Sequence, residues 1–438
     1  MNMKMNMKMN MNTLPGFMVV FFLLVSFLPL TADNETDILP LGPSKYKLEI
    51  DKVEAGQIIR TDTATALSLE QLIEQNKDTD VFIIGEAHDN YDCHAFQRDF
   101  IAALVKKYPQ VIVGFEFFWR QDNEWLEQWR TGQISEADLI KKTGWYERGG
   151  LNYGYTALIM DVIRQYQIKT IGVNIPRDIV RTVSRQGFDQ LTPEQKKLFP
   201  TIHIPNPEHE YFIKSVFGLM AVQIPMWFTN TYDAQKCWDV VMGESMREML
   251  AKKEYQGFKG VIIAGNNHVA YKLGIPFRYA AANKKAKIVT ISPILLPQEG
   301  KKSEDGEAEV HPMMKAMSAN MNPAALYSRG IADYVFAAAQ PLVQYYPVLG
   351  VSITQKDGKL VVSEVTKDSI AAKNGIRKGD ILSALDGVDI TTPEQFRTLI
   401  ANKKWDDSVD IRVTKKIDLK KETVGEEKKE SSKREKQE

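Results

Sequence analysis

The stretch VFIIGEAHD, residues 81–89, decides the fold. Its first four residues are apolar, continuous rather than alternating, and too few for a helix. Such a run suits a strand buried on both faces of a parallel sheet. It breaks at Gly85 into Glu86, His88 and Asp89, polar groups placed where a strand of this kind ends. Four further runs repeat the pattern: VIVGF at 111–115, KTIGV at 169–173, GVIIA at 260–264 and KIVTI at 287–291. Between them, residues 95–108 and 155–166 carry apolar side chains at helical spacing. Strand then helix, repeated, predicts an α/β domain over about 45–340, a mostly parallel sheet flanked by helices. Within it, the Pro- and aromatic-rich residues 191–225 and a long helix at 234–253 form a helical excursion on one side of the sheet. Its Met220, Met226, Trp227, Trp238 and Met242 are expected to pack into the core.

The chain has 438 residues, 44% of them hydrophobic and 26% charged, which is a globular composition. With 56 basic against 56 acidic residues there is no global field to hold a polyanion, so nucleic acid is not an expected partner. Residues 17–30 carry no charge, follow Lys4 and Lys8, and are fewer than the ~20 that span a bilayer. They predict a signal peptide over 1–32 and export to the periplasm or cell envelope. In an oxidising compartment Cys93 and Cys237, the only two cysteines, are candidates for pairing. A Cys-rich zinc module is excluded. Residues 343–414 have strand and helix signals of their own and predict a small α+β domain. The Lys/Glu-rich residues 415–438 predict a disordered tail, and 298–309 a charged surface loop.

In open α/β sheets the ligand crevice lies outside the carboxyl ends of the strands. Four of the strand ends here are polar: 85–89, Glu116, Asn174 and 265–268. Glu86, His88, Glu116 and His268 therefore offer two carboxylates and two imidazoles. That set suits a divalent metal or a division of acid and base roles, with Glu86 and Glu116 as candidate catalytic carboxylates. Glu116 stands between Phe115 and Phe117, where an unpaired carboxylate is costly to bury. Asp89 or Asn90 reads as the cap of the next helix, which holds His94. His94, His203, His209 and His311 lie outside the strand-end set. No phosphate-binding loop, serine-nucleophile elbow, His-Glu-x-x-His helix or dinucleotide fingerprint occurs.

Several blocks carry a resemblance: IGEAHDNYDCHAFQ at 84–97, VGFEFF at 113–118, GWYERGGLNYGY at 144–155, GVNIPRDIV at 172–180 and AGNNHVAYKLGIPFR at 264–278. Together they resemble the ChaN-like haem-binding uptake proteins, a branch of the Tiki/TraB/erythromycin-esterase-like superfamily, over about 65–340. The resemblance implies that Glu86, His88, Glu116 and His268 are the hallmark positions and that the cofactor is haem or a divalent metal ion. For haem it implies a His or Tyr axial ligand, with Tyr153 and Tyr155 as neighbours of the site. Residues 345–414 resemble a PDZ domain of the type found in exported proteases. Val348, Leu349, Gly350 and Val351 stand where its carboxylate-binding loop belongs, which implies that a protein C-terminus or extended peptide is the partner. The expected function is an exported haem- or iron-binding protein with a peptide-binding module. The alternative is a metal-dependent, peptidase-like hydrolase, and a homodimer stays open.

Overall fold

The computed structural model describes residues 41–43, 53–296, 331–339 and 345–414. The expectations for 1–32, 298–309, His311 and 415–438 lie outside the described residues. Along the chain, β1 (Ile58–Arg60) and β2 (Thr65–Leu67) lead into α1 (Leu69–Gln75) and β3 (Val81–Glu86). Then come α2 (Tyr91–Lys107), β4 (Val111–Trp119), α3 (Asn123–Arg130), α4 (Glu136–Lys142), α5 (Tyr153–Tyr166) and β5 (Lys169–Asn174). The excursion follows as α6 (Arg177–Gln186), α7 (Pro193–Lys196), α8 (Pro207–Phe217), α9 (Leu219–Gln223) and α10 (Pro225–Leu250). Last come β6 (Lys259–Gly265), α11 (Ile275–Ala282), β7 (Ile288–Leu295) and β8 (Tyr334–Ala338).

The strands form one sheet in the order β2-β1-β8-β7-β3-β6-β4-β5. It is parallel from β8 to β5, and β1 closes one edge antiparallel to β8 and β2. β3 shows why a continuous apolar run belongs here: all six of its residues are buried, because helices cover both faces. Phe82 and Ile84 pack into a core shared with α2 and α5, while Val81 and Ile83 face the core of α6 and α10. α2 starts where Asn90 accepts a hydrogen bond from the Cys93 N–H at 3.1 Å, so Asn90 rather than Asp89 is the cap.

Two element boundaries differ from expectation in ways that shape the site. β4 continues past Phe115 to Trp119, and its register with β5 jumps between those residues. This bulge places Glu116 and Phe117 off the regular ladder, at the rim of the sheet. It also brings the Trp119 carbonyl so close to Gly172 that a methyl there would lie 2.1 Å from its oxygen. α10 begins at Pro225, not near 234, because proline at a first helical position loses no hydrogen bond. In its first turn Met226 points outward and is 79% exposed, against the expected core packing, whereas Phe228 and Met242 are buried. No helix among the described residues is long and apolar enough to cross a membrane.

Residues 345–414 build a second, antiparallel sheet. β9 (Val351–Lys356), β10 (Lys359–Val365), β11 (Ile381–Leu385) and β12 (Val388–Asp389) lie in the order β12-β11-β10-β9, and β13 (Ile411–Thr414) pairs with β11. Leu360, Val362, Leu382, Leu385 and Phe396 form its core, under the helix Pro393–Ala401. β9 is the end strand of this order.

Candidate functional site

β3 and β6 are adjacent at the centre of the larger sheet, with Glu86 in register with Gly265. Both strands stop at the same level, so the residues that follow them, His88 and His268, emerge side by side at the carboxyl edge. β4 and its bulge add Glu116 from the other side of β6, and β5 adds Asn174. The sheet thus gathers all four predicted site residues at one place.

They form two linked halves. In the first, the Glu86 side chain is 2% exposed. One of its oxygens accepts from His88 Nδ1 at 2.8 Å and the other from Gln97 Nε2 at 2.9 Å, with His94 Nδ1 at 3.8 Å. Burial pushes the Glu86 carboxyl up, but His94, His88 and Gln97 outweigh it, so the group titrates below its ordinary value. His94 Nε2 lies 3.0 Å from the His88 carbonyl and therefore carries the proton. His88 itself is 41% exposed through its side chain, and Phe117 stands edge-on to its ring. Burial acts to lower the His88 pKa, yet Glu86 and Glu116 raise it to about 9.

In the second half, His268 bridges two carboxylates. Its Nδ1 lies 2.6 Å from Asp239 Oδ1 and its Nε2 lies 3.5 Å from Glu116 Oε1. The other Glu116 oxygen accepts the Gly265 N–H at 2.6 Å. Burial alone would lower the His268 pKa and raise that of Glu116, but their mutual attraction and Asp239 win. His268 rises to about 10 and Glu116 falls to about 2. The halves meet at Gly265, where a methyl group would lie 2.9 Å from His88 Nε2 and 3.5 Å from Glu116 Oε2. Glycine here keeps open a gap between an imidazole and a carboxylate.

A cleft of about 150 Å³ opens onto this cluster, lined by Glu116 and His268 together with Phe117, Trp145, Trp238 and the arginines Arg148 and Arg177. Arg148 lies over the Trp119 ring at 3.5 Å and pairs with Asp122 at 2.6 Å. Arg177 opens α6, within the influence of Glu116.

The remaining candidates fall elsewhere. Tyr153 and Tyr155 are both 4% exposed, and burial holds both hydroxyls above their ordinary pKa, so neither presents a phenolate to the cleft. Tyr155 stacks on His94 instead. His203 sits at the surface against Phe188. His209 is fully buried, with Nε2 3.6 Å from Asp239 Oδ2, so it supports the site from behind. Burial drives its pKa down to about 4, which keeps it neutral. Asp239 of α10, Gln235 of α10 with its Nε2 2.8 Å from His268 Nδ1, and Gln97 of α2 are site residues that the strand-end pattern does not contain. The one signal for Asp239 was a carboxylate set between Trp238 and Val240 in an apolar helix. Cys93 and Cys237 are both free and buried, so the candidate disulfide does not form.

Among the described residues no group of three or more His, Cys, Asp and Glu side chains is arranged to hold a metal ion. The arrangement does fit haem. It offers an imidazole whose second nitrogen is oriented by a buried carboxylate, aromatic faces, guanidinium groups for carboxylates, and a glycine gap that a Cβ would fill. At about 150 Å³ the cleft itself is too small to enclose a porphyrin.

Residues 72–278 match the family model described as haem-binding uptake, Tiki superfamily, ChaN, and residues 347–425 match that of the PDZ domain. No curated protein matches the chain. Among solved structures, similarity is found to ChaN of Campylobacter jejuni, described as binding haem cofacially, at 16% identity and a TM-score of 0.45. It covers 66% of this chain and 98% of that one. An erythromycin esterase variant in its open conformation is 13% identical with a TM-score of 0.33, covering 59% of this chain and 80% of its own. A Bacillus cereus protein is 12% identical with a TM-score of 0.34, covering 62% and 92%.

Proposed function

From a chain that belongs over residues 72–278 to the ChaN-like haem-binding uptake group of the Tiki superfamily, with a PDZ domain behind it, we propose an exported haem-binding protein whose PDZ module recruits a partner. The observation that carries this reading is the His88–Glu86 pair. It presents a partly exposed imidazole, oriented through Nδ1 and set edge-on to Phe117, which lines an aromatic cleft that also holds Arg148 and Arg177. His88 would hold the iron, Trp145 and Phe117 would face the porphyrin, and Arg177 would meet a propionate. Bound haem would supply a redox-active iron. The chain's own residues do the rest. Glu86 fixes the ring of His88, Gln97 and His94 hold Glu86, and Phe117 stands against the His88 ring. Because His88 keeps its proton up to a pKa of about 9, binding through its ring nitrogen releases a proton and strengthens as pH rises toward that value. In the PDZ domain, the loop of Val348, Leu349, Gly350 and Val351 and the outer edge of β9 would take an extended peptide terminus. Haemin titration of the purified protein tests the reading. A saturable Soret shift that weakens at least about tenfold in His88→Ala is expected, and a spectrum indifferent to both haemin and the substitution would end it.

A second reading, a peptidase-like hydrolase, draws on the Asp239–His268–Glu116 chain. A buried imidazole between two carboxylates is the arrangement that general acid–base work needs. In this reading Glu116 and Glu86 are the candidate bases. Turnover of a peptide library before and after chelation tests it, and no turnover in either condition removes it.

A further inference from the structure

Between Lys214 and Asp233 the chain carries no charged side chain, over residues 215–232. This stretch is the end of α8, the short α9 and the first turns of α10, and the fold turns part of it outward. Residues 222–226, VQIPM, are all exposed, Val222 by 64%, Ile224 by 50% and Met226 by 79%. Single apolar residues on a surface are ordinary. Three within five consecutive residues, at the corner between two helices, make a small apolar tip. Its base is packed: Ala221, Phe228 and Tyr232 are buried, the rings of Phe228 and Tyr232 stack, and Trp227 stands edge-on to Phe217 at 5.3 Å between centroids.

The tip also has a definite place. α10 runs from Leu250, packed against Gly260 at the start of β6, to Asp239, which meets His268 at the carboxyl edge of the sheet. At 1.5 Å of rise per residue, Met226 lies about 20 Å further along the same helix. The tip therefore stands on the side of the sheet where the strand-end cleft opens.

Size and chemistry select its occupant. A stable dimer buries about 800 Å² and roughly 20–30 residues on each partner, far more than three side chains supply. A bilayer interface accepts a small apolar projection without a matching shape, with Trp and Lys at the level of the headgroups. Half-buried Trp227 and exposed Lys214, over the Phe228 ring at 5.6 Å, stand at the base of the tip, where that level would fall. Asp233, the first carboxylate after the tip, is neutralised by Lys236 at 2.6 Å. We propose that Val222, Ile224 and Met226 seat this chain on a lipid bilayer surface, with the strand-end cleft turned to the membrane. An amphipathic ligand held in the bilayer would then reach the cleft without crossing water. The docking surface is independent of the haem reading, and only the identity of that ligand rests on it.

Flotation of the full chain with phosphatidylcholine vesicles tests the surface. Wild type is expected to float, and the double variant Ile224→Asp, Met226→Asp to lose at least about tenfold in vesicle binding. Its thermal midpoint should be unchanged, because both positions are exposed. Binding should be equal at about 0.1 M and 0.5 M salt, since an apolar contact is not screened. Any contribution of residues 17–30 is common to both proteins. A wild type that stays in solution, or a variant that floats like it, overturns the proposal. Self-association that the substitutions abolish, without flotation, also overturns it and makes a second copy the occupant. Haemin carried in the vesicles should pass to wild type faster than to the variant, while free haemin binds both equally. Equal transfer overturns the membrane-facing cleft. Flotation with no haemin uptake by either protein removes the haem reading and leaves the docking surface standing.

Discussion

At the scale of single residues, the site is governed by charges buried in pairs. Glu116 is costly in an apolar strand until His268 and the Gly265 N–H meet it; without it the Gly265 N–H loses its acceptor, while His268 keeps Asp239. Glu116→Ala is therefore expected to cost about 1–3 kcal/mol in denaturant unfolding. Glu116→Gln should cost less, because it keeps an acceptor for the Gly265 N–H. The same pair sets a pH range. Stability from the depressed Glu116 is present above its ordinary value of 4.5 and is lost as pH falls through about 2. Stability from the raised His268 is complete below 6.5 and is lost as pH rises through about 10. Urea midpoints should be flat between about pH 4.5 and 6.5 and fall on either side, and Asp239→Asn should shorten the alkaline fall. Glu86, His88, Glu116 and His268 were legible in sequence because each closes a strand. Asp239, Gln235, Gln97 and His209 were not, because helical spacing tells which face a residue occupies and not which strand end that face will meet.

At the scale of elements, two glycines and one bulge aim the side chains. The β4 bulge turns Glu116 toward β6, and nothing in the run VIVGFEFFW announces the register jump, because a bulge depends on the neighbouring strand. Gly172 lies under the Trp119 carbonyl, and the obstacle is backbone that cannot swing aside. Gly172→Ala is expected to lower unfolding free energy by about 3 kcal/mol. Gly265 faces side chains instead, and the His88 ring can move. Gly265→Ala should thus cost only about 1 kcal/mol in stability while displacing His88 and weakening haemin binding. Equal losses in both measurements would show that Gly265 is merely structural. The start of α10 was misplaced in sequence because Thr229, Asn230 and Thr231 interrupt the apolar period. The helix forms anyway, held by its packing on α6, α11 and β5.

At the scale of the whole molecule, the two helix layers explain why the cysteines stay apart. Cys93 lies on α2 in one layer and Cys237 on α10 in the other, with the sheet between them. Burial holds both thiols well above their ordinary pKa, so neither is a thiolate at neutral pH. The thermal unfolding midpoint should accordingly be the same with and without reductant, and a drop on reduction would reveal a bond that this fold does not make. The seam where Arg397 of the PDZ helix meets the Tyr146 carbonyl and Asn152 meets the Ala401 carbonyl also belongs to this scale, since no local pattern predicts which surfaces of two modules will meet.

The amino-acid order by itself determined the β–α alternation, the parallel sheet, the separate antiparallel module and the four strand-end groups. Each of these depends on hydrophobic period or on a residue's place at the end of a run, which are local properties. Only the tertiary structure decided which partners neutralise those groups, that His88 stands open while His268 is locked between carboxylates, that Tyr153 and Tyr155 turn inward, and that the PDZ helix rests on residues 145–155. Those outcomes depend on contacts between residues far apart in the chain, where the electrostatic balance of a buried group is set by whatever the fold brings beside it.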